Sequence, residues 1–262
     1  MPSDSVPTSK ATLQPAVPRP GAERGCHACA VRSLSICGAM PVSGLQRLES
    51  IRRDVNIEPR QMLFFEGDAA ADLFNVTSGA VKIYKLLADG RRQITGFILP
   101  GDFLGLALHN QYTYSAEAVV STTLCRFPRR ALEKLLDEFP ALEKRLLQTA
   151  SNELATAQDQ MLLLGRKTAS ERIATFLLSL GEREERRGAR HDVIELPMSR
   201  NDIGDYLGLT VETVSRTFTR FRKAGLLALD SAQRVNILDR DELRSLAGIG
   251  DDETLAAVAA EF

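Results

Sequence analysis

The sequence contains no run of about 18 apolar residues, the length that a membrane-spanning helix requires. Its N-terminus also lacks the charged segment followed by an apolar segment that marks a secretory signal peptide. Neither sign of charge prevails, because the formal net charge is −1. These absences predict a cytoplasmic chain with no membrane segment. They also exclude a wholly basic nucleic-acid coat, so that any affinity for DNA must come from a local basic surface.

The 262 residues, of which 44% are apolar and 26% charged, suffice for about two domains. Residues 1–20 are rich in Pro, Ser, Thr and Ala and have almost no large apolar side chains, which predicts a disordered tail. We expect the remaining segments to be a cysteine-rich stretch at 21–40, a β-domain at 41–140, a long helix at 141–165, a helical domain at 166–240 and a short helix with an acidic tail at 241–262.

The stretch from Ser199 to Leu227 has the pattern of two helices joined by a tight turn. Ser199 and Thr210 are suitable N-caps, and Gly208 is a typical residue just beyond a last helical turn. Apolar residues recur at helical spacing in both segments, which indicates that each helix buries one face: Ile203, Leu207, Val214, Phe218 and Phe221. Two helices joined by a short turn containing glycine are typical of a helix-turn-helix.

The outward face of the second helix is suited to reading DNA. Glu212, Ser215 and Arg216 lie in its first two turns, the part that enters the major groove. A guanidinium can bond guanine O6 and N7, and a carboxylate can accept from cytosine N4. Further cations suited to phosphates follow at Arg220, Arg222 and Lys223. The alternative is a solvated face on an ordinary helical hairpin, but the cap, turn and apolar stripe in register favour DNA binding.

Three of the four cysteines lie close together in the sequence, at Cys26, Cys29 and Cys37, and the fourth is Cys125. Thiols stay reduced in the cytosol, so such a group indicates metal binding or catalysis rather than structural disulfides. Four thiols could hold a tetrahedral zinc ion or a [4Fe–4S] cluster. The residues alone leave these metals and a chance grouping open. His27 is expected to be a polar neighbour.

Short strands separated by turns are predicted from Val55 to Phe127, which indicates an antiparallel barrel or roll. Val81–Leu86 alternates apolar and polar residues between the turn signals Ser78-Gly79 and Asp89-Gly90. A short helix is predicted at 129–138. After the long helix, Ser170 is expected to cap the next one, residues 181–192 are expected to form a solvated loop, and residues 226–238 resemble a wing hairpin.

The long helix has apolar residues at alternating intervals of three and four, which is typical of a coiled-coil seam. The helix could instead lie on its own barrel. Two-fold-related DNA half-sites need two recognition helices about 34 Å apart, which favours a homodimer. The predicted dimerisation residues are Leu147, Ala150, Leu154, Ala157, Met161 and Leu164.

The segment TVETVSRTFTRFRKAGLL resembles the recognition helix of FNR-type regulators (fumarate-and-nitrate-reduction regulators), a branch of the cyclic-AMP-receptor-protein superfamily of bacterial transcription regulators. That branch has E-x-x-S-R, matched by Glu212, Ser215 and Arg216, whereas the cyclic-AMP receptor has Arg and Gly in place of Val211 and Ser215. The resemblance extends from about Cys26 to Leu238. It implies an α+β fold with an N-terminal cyclic-nucleotide-binding-like jelly roll, a long dimerisation helix and a C-terminal winged helix-turn-helix.

The same resemblance implies an oxygen-labile [4Fe–4S] cluster on Cys26, Cys29, Cys37 and Cys125, TTGAT-type half-sites, and RNA polymerase as a partner. The interval from Cys29 to Cys37 is longer than in the best-known member. Nucleotide-binding members use a Gly-Glu pair and an Arg-Ser pair, but this chain has Leu106 in place of the acid and Tyr114 in place of the arginine before Ser115. We therefore expect no cyclic nucleotide, and His109 and Tyr112 are expected at the surface.

The sequence thus predicts an oxygen-responsive, dimeric transcription activator and not an enzyme. Two alternatives remain. One is a zinc- or thiol-based redox regulator of the same fold. The other is a thiol enzyme that uses Cys26 and Cys29 as a redox pair, but the sequence lacks the βαβ pattern that normally surrounds such motifs.

Overall fold

A computed structural model of the chain describes residues 25–107, 110–231 and 233–249. The predicted disordered tail, His109 and the acidic end from residue 250 onward lie outside these ranges. The chain divides between Ala150 and Ser151 into two compact units. No helix among the described residues is both long and apolar enough to cross a membrane.

The first unit contains an antiparallel β-roll. Its strands are β1 (Arg53–Ile57), β2 (Met62–Phe64), β3 (Asp72–Ser78), β4 (Val81–Leu86), β5 (Arg92–Ile98), β6 (Phe103–Leu104), β7 (Ser115–Ala118) and β8 (Thr122–Pro128). They form two four-stranded sheets, in the orders β1-β8-β3-β6 and β2-β7-β4-β5. Gly79 and Gly90 have φ of 84° and 83°, a backbone conformation that favours glycine in such turns. The predicted jelly roll is therefore confirmed.

The sheet β1-β8-β3-β6 is apolar on both faces because successive side chains of a strand point to opposite sides. Phe74 and Leu124 belong to the core inside the roll, whereas Leu73, Cys125 and Phe127 belong to a second core on the outer face. That outer core is completed by the 3-10 helices Cys26–Ala28 and Ile36–Ala39, the helices α1 (Val42–Ile51) and α2 (Arg129–Glu138), and the first turns of α3 (Pro140–Arg166).

The second unit contains α4 (Ala169–Arg186), β9 (Val193–Glu195), α5 (Arg200–Leu207), α6 (Val211–Lys223), β10 (Leu227–Leu229), β11 (Arg234–Ile237) and α7 (Arg240–Leu246). β10 and β11 form the predicted wing hairpin, and β9 adds a third strand to it. Helix α7 packs against α4 and buries Leu243 completely.

Two predictions about helix α4 were wrong. Residues 181–186, which were expected to belong to a solvated loop, form the last part of α4, because Glu and Arg are good helix formers. The N-cap of α4 is Thr168 rather than Ser170. Thr168 accepts from the Glu171 N–H while the Glu171 carboxylate accepts from the Thr168 N–H, and this reciprocal capping box satisfies two free donors.

Candidate functional site

Helices α5 and α6 form a helix-turn-helix whose ends are fixed by local hydrogen bonds. The Ser199 hydroxyl accepts from the Asp202 N–H (3.1 Å), and the Asp202 carboxylate accepts from the Ser199 N–H (3.2 Å). Gly208 ends α5 with φ of 64°, in the left-handed region. Thr210 then caps α6 by accepting from the Thr213 N–H at 3.2 Å. The caps and the turn predicted from the sequence are confirmed.

Helix α6 has one buried and one exposed face. Val214, Phe218 and Phe221 are at most 2% exposed and pack into the domain. Each residue predicted to contact DNA is exposed on the opposite side: Val211, Glu212, Ser215, Arg216, Arg220, Arg222 and Lys223. The helix therefore presents a continuous polar and basic surface on a rigid apolar base.

Two arginines of the exposed face are held by neighbours. Arg216 Nη2 lies 2.6 Å from Glu212 Oε1, one helical turn earlier, and both side chains are well exposed. Arg220 donates to the hydroxyl of Ser170 in the first turn of α4. These two guanidinium groups are thus positioned by neighbouring side chains.

The structure adds two arginines that the sequence did not single out. The Arg200 guanidinium lies over the Phe218 ring, 3.4 Å from its centroid, and burial lowers the pKa of Arg200 to about 10. Arg172 donates to the carbonyl oxygens of Leu164, Lys167 and Leu207 at 2.7–2.8 Å. It therefore connects the end of α3 with the end of α5. No sequence pattern marks such long-range contacts.

Three of the four cysteines lie in the core on the outer face of the sheet β1-β8-β3-β6, and the fourth, Cys29, is near two of them in the chain. Cys26 and Cys37 lie on the two 3-10 helices, Cys29 follows the first of them, and Cys125 lies on β8. Cys26, Cys37 and Cys125 are buried in the outer core, whereas Cys29 is half-buried. All four are free thiols. The fold thus places the remote Cys125 in the same core as Cys26 and Cys37.

The thiols lie within electrostatic range of one another. Burial is the main cause that raises the pKa of Cys37 to about 11, and nearby Cys26 and Cys29 raise it further. Burial also raises the pKa of Cys125, with smaller contributions from Asp54, Cys37 and Cys29, while Arg52 opposes the increase. Deprotonating several of these thiols without a bound cation is therefore unfavourable, and a metal would reverse this balance.

Cys125 lies between two polar residues on the sheet. Asp54 of β1 and Asn75 of β3 are its cross-strand partners. Asn75 is 2% exposed, and its Oδ1 is buried without a hydrogen-bond partner among the described residues. A buried polar atom without a partner often marks the position of an ion, a water molecule or a functional group.

The donor set fits a thiolate-bound metal group. Four cysteines can ligate zinc or a [4Fe–4S] cluster, and the apolar outer core limits access of solvent to three of them. Within the described residues, however, no group of three or more His, Cys, Asp or Glu side chains is arranged to hold a metal ion.

Helix α3 presents the predicted seam to solvent. Leu147, Leu154 and Met161 recur every seven residues and are 63%, 60% and 67% exposed. Ala150 and Ala157 are also exposed and lie between them, while Leu164 is half-buried. Large apolar side chains at heptad spacing are unusual on a helix surface that stays in water.

Aromatic side chains fill part of the interior of the roll. The rings of Phe64 and Tyr112 stack with centroids 3.7 Å apart, and the Tyr112 hydroxyl donates to the Asp72 carbonyl at 2.7 Å. The Tyr114 hydroxyl accepts from the Gly105 N–H at 3.0 Å. The expected surface position of Tyr112 was wrong, because its ring completes the core and its hydroxyl finds a backbone partner.

Two family models match the chain. The cyclic nucleotide-binding domain matches residues 54–139, and the Crp-like helix-turn-helix domain matches residues 171–246. The first range covers the β-roll apart from Arg53, the first residue of β1, and the second contains the helix-turn-helix.

The chain is similar over most of its length to curated regulators. It is 41% identical to the nitrogen fixation regulation protein FixK of Bradyrhizobium diazoefficiens, over 85% of this chain and 93% of that protein. It is also 41% identical to the transcriptional activator protein Anr of Pseudomonas aeruginosa, over 85% and 92%. Among solved structures, FixK2 of Bradyrhizobium japonicum matches with a TM-score of 0.71 and 40% identity, over 75% of this chain and 97% of that one.

Proposed function

The chain belongs to the FNR-type branch of the Crp family of bacterial transcription regulators, and on this premise we propose that it is an oxygen-responsive regulator. It would bind TTGAT-type palindromic DNA as a homodimer while a [4Fe–4S] cluster is intact, and so control anaerobic or microaerobic genes. The observation that carries this proposal is that Cys26, Cys37 and Cys125 share one core on the outer face of the β-roll, with Cys29 within electrostatic range of them. Family membership alone does not determine the cluster, so the proposal depends on these residues.

In the proposed DNA complex, α6 enters the major groove. Arg216 would bond guanine O6 and N7, and Glu212 would accept from cytosine N4. Val211 and Ser215 would line the same groove, while Arg220, Arg222 and Lys223 would neutralise phosphates. Exposure of all seven side chains on one face of a helix supports this assignment.

The proposed occupant of the α3 seam is the same helix of a second copy. Two such helices would bury Leu147, Leu154 and Met161 against their counterparts, and Ala150 and Ala157 allow close approach. Burying a side chain of this size contributes about 1.5–3 kcal/mol. A two-fold dimer also supplies the two recognition helices that a palindrome requires.

Direct contacts connect the cysteines to the beginning of α3. Leu142 and Leu146 of α3 pack into the core that contains Cys26, Cys37 and Cys125. Arg145 Nη2 donates to the Leu34 carbonyl at 3.3 Å, and Leu34 lies between Cys29 and Cys37. A rearrangement of the cysteine segment therefore changes the surroundings of the dimerisation helix. A difference of about 3 kcal/mol between the two states would change the dimerisation constant roughly a hundredfold.

When bound, the cluster would supply oxygen sensitivity, and the protein's residues would bind it and limit its contact with solvent. Cys26, Cys29, Cys37 and Cys125 would hold it, and the outer core would keep solvent from three of these ligands. We propose no role for a cyclic nucleotide, because Phe64 and Tyr112 occupy the interior and Tyr114 replaces the phosphate-binding arginine of the nucleotide-binding members. RNA polymerase is the proposed second macromolecular partner.

A zinc- or thiol-based redox regulator with the same DNA specificity is the second candidate. It is supported by the same four free cysteines, because four thiolates can also hold a zinc ion and free thiols can form disulfides. Zinc and a free dithiol are both colourless, whereas a [4Fe–4S] cluster absorbs near about 400 nm.

The decisive experiment is anaerobic purification, followed by measurement of iron, sulfide, zinc and absorbance. The proposal expects iron, sulfide and a visible band that disappears in air together with DNA binding. Cys125→Ser should lose the band and anaerobic DNA affinity together, whereas His27→Ala, which changes an exposed neighbour of Cys26, should keep both. A colourless wild-type protein with zinc, or normal iron content in Cys125→Ser, would overturn the assignment.

A further inference from the structure

Arg52 lies between two of the four cysteines and contacts one of them. It is the C-cap residue of α1, and its side chain is 17% exposed. Its Nη1 donates to Cys26 Sγ at 3.7 Å, and its Nη2 donates to Asp54 Oδ2 at 3.1 Å. The guanidinium therefore connects the N-terminal cysteine segment to strand β1.

The same guanidinium acts on the remote cysteine. Asp54 is directly opposite Cys125 in the β1–β8 ladder, so the Arg52–Asp54 pair lies beside that thiol. Arg52 lies within electrostatic range of both Cys26 and Cys125. One cation thus acts on two thiols that are far apart in the sequence.

We propose that Arg52 is the positioning residue of the cysteine cluster. It holds Cys26 against β1 and compensates the negative charge that four thiolates bring into a buried site. Buried charges require a partner, and hydrogen bonds from neighbouring residues orient the ligands of metal sites. The inference rests on the proposed iron–sulfur function and assigns a role to a residue that is not itself a ligand.

The geometry separates two parts of this role. A guanidinium can donate in two directions at once, to Cys26 and to Asp54, whereas a lysine ammonium supplies the charge without the planar fork. Arg52→Lys therefore retains charge compensation but loses the fixed position of Cys26. Arg52→Gln loses both.

Arg53 provides a matched control. It is the next residue, it is exposed, and its guanidinium donates to the Arg52 carbonyl rather than to a thiol. Arg53→Gln removes the same charge from the same segment. Comparison with Arg52→Gln therefore isolates the contact with the cysteines.

The experiment compares the wild type, Arg52→Gln, Arg52→Lys and Arg53→Gln as full-length, anaerobically purified proteins. Iron loss to a chelator and the midpoint reduction potential are measured by absorbance, and thermal unfolding of the metal-free proteins serves as the folding control. Arg52→Gln should lose iron about tenfold faster or more. Its potential should become more negative, because an added electron lacks the nearby cation. Arg52→Lys should keep the wild-type potential but retain iron poorly, and Arg53→Gln should match the wild type in both.

Wild-type iron retention and potential in Arg52→Gln would overturn the inference while leaving the proposed function intact. Equal losses in Arg52→Gln and Arg53→Gln would also overturn it, since they would indicate a general effect of charge. If Arg52→Gln proves too unstable when metal-free, Arg52→Lys decides the question, and wild-type iron retention in that variant sinks the positioning role. A wild-type protein that binds no iron would instead contradict the proposed function.

Discussion

Arg216 and Glu212 form an exposed ion pair on α6, with Arg216 Nη2 2.6 Å from Glu212 Oε1. Both side chains are proposed to read bases, so the pair keeps the guanidinium in place one turn above the carboxylate. Because both residues are exposed, the pair contributes little to stability. The pair instead orients the two side chains, which are not held by burial.

Arg216→Ala should weaken binding to a TTGAT-type operator by about 1–3 kcal/mol and relax the choice at one guanine. Lys223→Ala should weaken binding to all sequences about equally and reduce the salt dependence by about one unit. Titrations of operator and scrambled DNA at several salt concentrations distinguish these outcomes. Equal loss on both DNAs in Arg216→Ala would identify Arg216 as a phosphate contact.

Leu154→Glu should prevent dimerisation, because it places a carboxylate at the centre of the exposed apolar seam of α3. Asn152→Glu is the matched control, since it adds the same charge to an exposed position of the same helix away from the seam. Anaerobic sedimentation should give a monomer for the first variant and a dimer for the second. A dimeric Leu154→Glu protein would mean that copies associate through another surface.

Arg145→Gln should weaken the coupling between the cysteines and dimerisation, because it removes the hydrogen bond from α3 to the Leu34 carbonyl. We expect normal iron content but a smaller difference between the dimerisation constants in the absence and presence of air. Lys144→Gln, an exposed neighbour on α3, should leave that difference unchanged. Wild-type coupling in Arg145→Gln would place the connection in the apolar contacts of Leu142 and Leu146 instead.

Arg172→Gln should lower the unfolding free energy of the DNA-binding domain by at least about 1.5 kcal/mol, because carbonyls of α3 and α5 lose a charged donor. Arg186→Gln changes an exposed arginine at the end of the same helix and should have little effect. Chemical denaturation of the full chain measures both. Unchanged stability in Arg172→Gln would mean that water replaces the three hydrogen bonds without cost.

The sequence by itself determined the features that depend on neighbouring residues. Ser199, Gly208 and Thr210 define the turn of the helix-turn-helix because caps and left-handed turns act within a few residues. Strand β4 and helix α2 were predicted with their observed bounds for the same reason. The predictions failed where two local signals competed, as at Thr168 and Ser170, or where polar residues formed a helix rather than a loop before Arg186.

Only the tertiary structure decided which distant residues meet. The approach of Cys125 to the N-terminal cysteines, the burial of Tyr112, and the contacts of Arg52 and Arg172 all depend on strand pairing and packing between segments far apart in the chain. A hydrophobic pattern predicts that a residue is buried, but it does not identify the residues that it packs against, because the hydrophobic effect is non-directional. The strand registers determine these neighbours, and they place Asp54, Cys125 and Asn75 side by side on the sheet.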